Sequence, residues 1–165
     1  MTQAALPDLP ALAQAVAARL VARKETVAIS ESSAGGLISA ALLAVPGASA
    51  YYVGGVVTYT ARARMQLLDI PHKATEGMRS ASEPYAQLLA RVVRTKLKAT
   101  WGLAETGASG PSGNSYGDAP GHTCIAVGGA DGEVSLTIET GNDDREANMR
   151  AFAAQSLAFL LRALD

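Results

Sequence analysis

A chain of 165 residues, 48% hydrophobic and 18% charged, has the makeup of one soluble globular domain that is long enough to bury a sizeable core. Its formal net charge of −1 gives no global electrostatic reason to bind nucleic acid or an anionic membrane. No apolar run approaches the ~18–20 residues of a membrane span.

Cys124 is the single cysteine, so no internal disulfide can form, and a reducing cytoplasm fits. His72 and His122 stand outside any ligand spacing, which argues against a protein-built metal site. The opening MTQAALPDLP has neither a basic n-region nor a continuous apolar h-region, so no signal peptide is expected. Neither an internal repeat nor a domain linker is visible, and residues 1–165 read as one domain.

In chain order, Pro7-Asp8-Leu9-Pro10 is a helix start, with Asp8 as N-cap and Pro10 in the first turn. Leu9, Leu12, Val16 and Leu20 form the apolar stripe of a helix ending near Lys24. Val27 to Ser30 is a first strand, and Leu37 to Ala44 a helix stopped by Pro46-Gly47. Val53 to Thr60 is β-rich, with glycines that suggest close backbone approach or a bulge. Ala61 to Leu68 reads as a short helix.

Ser82-Glu83-Pro84 opens the next helix, whose apolar face runs from Tyr85 to Leu97. Arg91, Arg94, Lys96 and Lys98 lie on or around its polar side and read as a solvated face, since no aromatic platform accompanies them. Trp101 to Thr106 is a strand, Gly107 to Gly121 a long Gly/Ser/Pro/Asn loop, and His122 to Val127 another strand. Gly128 to Gly132 reads as a hairpin turn. Val134, Leu136 and Ile138 then alternate with polar residues, as in a half-exposed antiparallel strand. The last helix opens at Asp143, the expected cap, with Glu146 three residues on, and Met149, Phe152, Ala153, Ser156, Leu160 and Leu164 face inward. The sum predicts three layers, α/β/α, around a mixed, mostly parallel sheet of about five or six strands.

The chemistry concentrates at Thr26 to Gly36, TVAISESSAGG. A strand runs into Ser30, Glu31 and Ser32, then a Gly-Gly turn and a helix start. Ser32 is the nucleophile candidate by position, and the N–H groups of Gly35 and Gly36 could hold an oxyanion. The same pattern also serves as a phosphate or carboxylate cradle, or as a plain tight turn. Glu31 could instead fix the loop by accepting backbone N–H bonds. Glu31, Tyr59, His72 and several arginines are the groups that could assist the serine, with His72 reading as a surface loop residue. Thr106-Gly107 with Gly110-Pro111 is a second strand-to-loop junction, and both junctions should meet at the carboxyl edge of the sheet. Cys124 reads as a small core residue.

Glu31-Ser32-Ser33-Ala34-Gly35-Gly36 resembles the E-S-C-T-G-G signature of the CinA C-terminal domain, the nicotinamide-nucleotide amidohydrolase family. The resemblance continues through Val45 to Ser49, Gly54 to Tyr59, Ser82 to Pro84, Thr106-Gly107 with Gly110-Pro111, Gly121 and Asp144-Arg145. It covers nearly the whole chain. It implies a three-layer α/β/α domain of the C-terminal type, which agrees with the reading above. It also implies hydrolysis of the carboxamide of nicotinamide mononucleotide to nicotinate mononucleotide and ammonia by a Ser/Lys-like mechanism. Ser32 would attack the carboxamide carbon and N–H groups near Gly35 and Gly36 would hold the oxyanion. Tyr59, Thr106 and Arg145 match family site positions, and Arg145 is the natural partner for a phosphate. Glu31, Ser33 and Gly107 belong to the same substrate-binding set.

The chain departs from the family where Y-S-N-E-A-K becomes Tyr59-Thr60-Ala61-Arg62-Ala63-Arg64. The expected base lysine is Arg64, and a guanidinium cannot usefully accept a proton near pH 7, although it can hold an anion. The Cys-Thr pair is Ser33-Ala34, and Ser112-Gly113-Asn114 alters the glycine run after Gly110-Pro111. Two functions follow as expectations. One is amide hydrolysis with Ser32, Arg64 and Tyr59 at the reacting centre. The other is binding of a nucleotide or phosphate ligand without turnover. Both take a small molecule, with no cofactor, metal, nucleic acid or membrane. The Ala/Leu-rich helices could also form a homo-oligomer interface.

Overall fold

The structure is a computed structural model that describes residues 8–165. Residues 1–7, with Pro7 and most of the stretch read for a signal peptide, lie outside the described residues. Helix α1 (Leu9–Arg23) starts where the Asp8 carboxylate accepts the Ala11 N–H at 2.9 Å, and Pro10 sits in its first turn. It ends at Lys24, whose left-handed φ of 55° directs its N–H back to the Leu20 and Val21 carbonyls.

Five strands form one sheet: β1 (Val27–Glu31), β2 (Tyr52–Val57), β3 (Trp101–Ala108), β4 (His122–Gly129) and β5 (Gly132–Glu139). Their order is β2-β1-β3-β4-β5. β1 is parallel to β2 and β3, while β4 is antiparallel to β3 and β5. Four strands therefore run one way and β4 runs against them. The helices are α2 (Leu37–Leu43), α3 (Ala61–Leu68), α4 (Glu83–Leu97) and α5 (Arg145–Leu164).

The strand pleat sorts side chains by size. Val27, Ile29, Leu103, Ile125 and Val127 point to one face, where α1, α2 and α5 cover them with Leu20, Ile38, Phe152 and Leu157. Burying one such side chain contributes ~1.5–3 kcal/mol. Ala28, Ala104, Cys124 and Ala126 point to the other face, under α4. Small residues there let α4 lie close to the strands. At Gly102 an added Cβ would sit 2.1 Å from the Ala90 carbonyl oxygen of α4. Cys124 is buried in this layer, as expected of a small core residue.

The charges of α4 make surface contacts: Arg91 pairs with Glu133, Lys96 with Asp69, and Arg94 donates to the Thr100 carbonyl. β5 is one of the two sheet edges, with β2 at the other, and Val134 is 55% exposed on it. No helix among the described residues is long and apolar enough to cross a membrane.

Several boundaries differ from the sequence reading; β1 runs on to Glu31, and β4 runs on to Gly129, which leaves only Ala130 and Asp131 between it and β5. β2 stops at Val57, so Tyr59 lies in the connection to α3 and is 63% exposed. β3 continues to Ala108, paired with His122 of β4, so the long loop begins at Ser109. The cap of α5 is Asp144, not Asp143. Asn142 Oδ1 takes the Asp144 N–H at 3.0 Å, and Asp144 Oδ1 then accepts from Ala147 at 2.9 Å.

Candidate functional site

At the carboxyl end of β1 the Glu31 side chain is fully buried beneath the turn it precedes. Its Oε1 accepts the Gly36 and Ile38 N–H groups at 3.1 and 2.9 Å, and Oε2 accepts Ser39 N–H at 2.9 Å. These are donors that the first turn of α2 leaves without an intrahelical partner. A carboxylate at that end also suits the helix dipole. Glu31 thus fixes the loop through backbone N–H groups, the alternative role considered for it. The left-handed φ values of Gly35 and Gly36, 68° and 99°, complete the turn.

The N–H groups expected to hold an oxyanion are engaged. Gly35 N–H donates to the Ser32 carbonyl at 3.1 Å, and Gly36 N–H donates to Glu31. The turn closes on itself before any ligand arrives.

A second buried acid, Glu105 of β3, holds the same turn from the neighbouring strand. Its Oε2 accepts Ser32 N–H at 3.1 Å and Ala34 N–H at 2.8 Å. Its Oε1 accepts the Ser33 hydroxyl, and the Thr123 hydroxyl at 2.9 Å. Burial pushes the Glu105 carboxyl above the usual carboxylate range, against the donors from Ser33, Ala34, Ser32 and Thr123, which pull it down. Ser109 Oγ adds a bond to the Ser33 carbonyl at 3.2 Å. The two strand-to-loop junctions therefore meet at one edge, as the sheet topology requires.

Ser32 lines a cavity of about 280 Å³ together with Thr58, Tyr59, Arg64, Tyr85 and Thr106. The Ser32 hydroxyl has no hydrogen-bond partner among the described residues. Arg64 projects from α3 and is 6% exposed. Its Nη1 donates to the Tyr85 hydroxyl at 2.9 Å, and its guanidinium carbon stands 5.5 Å from the Tyr85 ring centre. Its Nε is buried without a partner, as is the Thr58 hydroxyl. No acidic side chain lines this cavity.

A second cavity of about 230 Å³ shares Tyr59, Gly107 and Asn114 with the first and adds Ser33 and Arg145. Arg145 Nη1 donates to the Gly110 carbonyl at 2.5 Å, and Nη2 to the Tyr59 hydroxyl at 3.2 Å. The loop from Ser109 that walls it is tied down at several points. Asn148 of α5 donates to the Ser109 carbonyl at 2.7 Å, Arg79 forks onto Asp118 at 3.0 and 3.1 Å, and Asn114 donates to Asp118 at 2.8 Å.

Of the residues singled out in the sequence, Ser32, Tyr59, Arg64, Thr106 and Gly107 share the first cavity. Ser33, Tyr59, Gly107 and Arg145 share the second. Glu31, Gly35 and Gly36 line neither and build the turn. His72 is exposed, away from both cavities. Glu105 and Asn148 escaped the sequence reading, while Tyr85 was read only as part of an apolar helix face and Asn114 only as a departure in the glycine run. A lone acid inside the apolar run WGLAET was the available signal for Glu105, because a buried carboxyl needs partners.

The sequence model of the family described as CinA C-terminal domain matches residues 9–164. A CinA-like protein of Anaeromyxobacter dehalogenans is 39% identical over 153 residues, covering 92% of this chain and 36% of the relative. A CinA-like protein of Gloeobacter violaceus is 37% identical, covering 94% of this chain and 36% of the relative. The chain thus spans about a third of the length of the curated relatives it matches. A crystal structure of a competence-damaged protein (CinA) superfamily protein from Klebsiella pneumoniae superposes with a TM-score of 0.90 at 26% identity, over 96% of this chain and 98% of that one. A competence/damage-inducible protein from Agrobacterium tumefaciens gives a TM-score of 0.87 at 27% identity, over 98% and 99%. The α/β fold, the order of the motifs and these matches agree, and the chain belongs to the CinA C-terminal domain family.

Proposed function

We propose that the protein is a nicotinamide-nucleotide amidohydrolase-like protein, with Ser32 as nucleophile toward the carboxamide of nicotinamide mononucleotide or a related amide. The observation that carries this reading is the meeting of an unbonded Ser32 hydroxyl, Tyr59, Thr106 and a buried cation in one cavity beside Arg145. Ser32 Oγ bonds to the carboxamide carbon, the C–N bond breaks, and ammonia leaves with the serine proton. Water then releases the acyl group as a carboxylate. A guanidinium is a poor base, so the part of Arg64 is to hold negative charge on oxygen, not to take the Ser32 proton. Among the described residues Arg145 bonds only to neutral groups, Gly110 O and Tyr59 OH, which leaves its charge for a substrate phosphate. The setting expected for this chemistry is the cytoplasm.

A second reading is ligand binding without turnover. Arg64 in place of a base favours it, as do the Gly35 and Gly36 N–H groups already engaged within the turn. Losing one general base costs about 10²–10⁴ in rate. Ammonia release from nicotinamide mononucleotide, wild type against Ser32→Ala, separates the two. Release above the Ser32→Ala background supports hydrolysis. Thermal stabilisation by the nucleotide with no release supports binding alone.

A further inference from the structure

We infer that the Ser32 cavity recognises a carboxylate in preference to the matching carboxamide, with Arg64 as the recognising group. This rests on the reading of the cleft as a pyridine-nucleotide site and names the chemical form of the ligand it retains.

Arg64 is almost wholly buried, yet no carboxylate of the described residues pairs with it. A buried guanidinium with a single neutral partner is costly unless an anion completes it. Tyr85 occupies Nη1 and Nε is closed off without a partner, which leaves Nη2 with no protein acceptor. Nη2 offers N–H donors that carry the guanidinium charge, and a carboxylate oxygen answers them with a charge-assisted hydrogen bond. A carboxamide offers one acceptor oxygen, and its NH₂ would face N–H donors.

The surroundings agree. Ser32, Tyr59 and Thr106 line the same cavity, and no acid among its lining residues competes for the cation. One positive charge matches one carboxylate. The second cavity, with Arg145 and the side-chain-free backbone of Gly107, Gly110 and Gly113, is left for the phosphate of the same molecule. A ligand with an acid at each end therefore spans the two arginines across Tyr59, which both cavities share. An amide hydrolase built this way holds its acid product.

Calorimetric titration of the whole chain with nicotinate mononucleotide and nicotinamide mononucleotide tests this. The expected result is that the carboxylate binds about tenfold or more tightly, and that Arg64→Lys and Arg64→Gln each lose most of that preference. Arg64→Lys keeps the charge, so folding is checked on it by circular dichroism if Arg64→Gln does not fold. Equal affinity of the two nucleotides in wild type overturns the inference and leaves the nucleotide site intact. Binding of neither removes the nucleotide reading. Benzoate against benzamide then decides the Arg64 assignment. Saturable benzoate binding that Arg64→Lys weakens keeps it, and no benzoate binding overturns it.

Discussion

Glu105 holds Ser32 by its backbone: a carboxylate oxygen from β3 accepts the Ser32 N–H at 3.1 Å across the junction with β1. The same oxygen takes Ala34 N–H, and the other takes the hydroxyls of Ser33 and Thr123. Ser32 is thereby placed at the cavity by a neighbouring strand, while Glu31 pins the other end of the turn to α2.

Glu105→Ala would leave the Ser32 and Ala34 N–H groups and the Ser33 hydroxyl without their shared acceptor, while the Thr123 hydroxyl keeps the Thr106 carbonyl at 3.1 Å. The expected loss of stability in urea unfolding is about 3 kcal/mol or more. Glu105→Gln keeps one acceptor oxygen and should lose less. A cost for Glu105→Ala indistinguishable from zero would show that the turn stands without this anchor.

Gly102→Ala tests the close seat of α4. The new Cβ would meet the Ala90 carbonyl at 2.1 Å and the Arg94 Cβ at 2.8 Å, both on α4. Helix and strand must part, at a cost of about 1–3 kcal/mol by analogy with overpacked cores. A melting temperature equal to wild type would mean that α4 is not held at this spacing.

His122 gives the protein a pH-dependent tie between β4 and β5. Burial of the ring opposes its charge. The Glu139 carboxylate at 2.5 Å, the Ala81 carbonyl at 2.9 Å and the nearby Asp118 outweigh that, so its pKa is raised above 6.5. The folded state then binds the proton more tightly than the unfolded one. This contribution is full below about pH 6.5 and is lost as pH rises through the folded-state value. Glu139→Gln should flatten the decline in melting temperature between pH 6 and pH 9. Parallel curves for wild type and Glu139→Gln would refute the assignment.

Arg145→Ala probes the second cavity. Its guanidinium spans Gly110 O and Tyr59 OH, and its charge is the one proposed to meet a phosphate. Affinity for a mononucleotide should fall about tenfold or more in a thermal-shift titration. The corresponding nucleoside, which lacks the phosphate, should bind wild type and variant alike. An equal loss for both would place Arg145 in loop structure and not in phosphate recognition.

The local elements were legible in the sequence because they depend on neighbours along the chain. Asp8 and Ser82 cap helices through N–H groups three residues away, and strand alternation put large residues on one face and alanines on the other. Ser32 was visible from its place at a strand-to-loop junction, while Tyr59, Thr106 and Arg145 were marked as site residues by the resemblance to the family's motifs. The cap of α5 was missed by one residue because Asn142, an equally good acceptor, takes the Asp144 N–H.

Only the tertiary structure decided the rest. Glu105 looks like any strand residue until β3 lies beside β1 and its carboxyl meets donors more than 70 positions away in the chain. Arg64 reads from sequence as a missing lysine. Folding buries it against Tyr85, 21 residues on, with no acid lining the same cavity, and this is what supports proposing an anion site there. The physical reason is that a side chain's charge is written in the sequence, while its solvation and its partners exist only after distant strands and helices have packed around it.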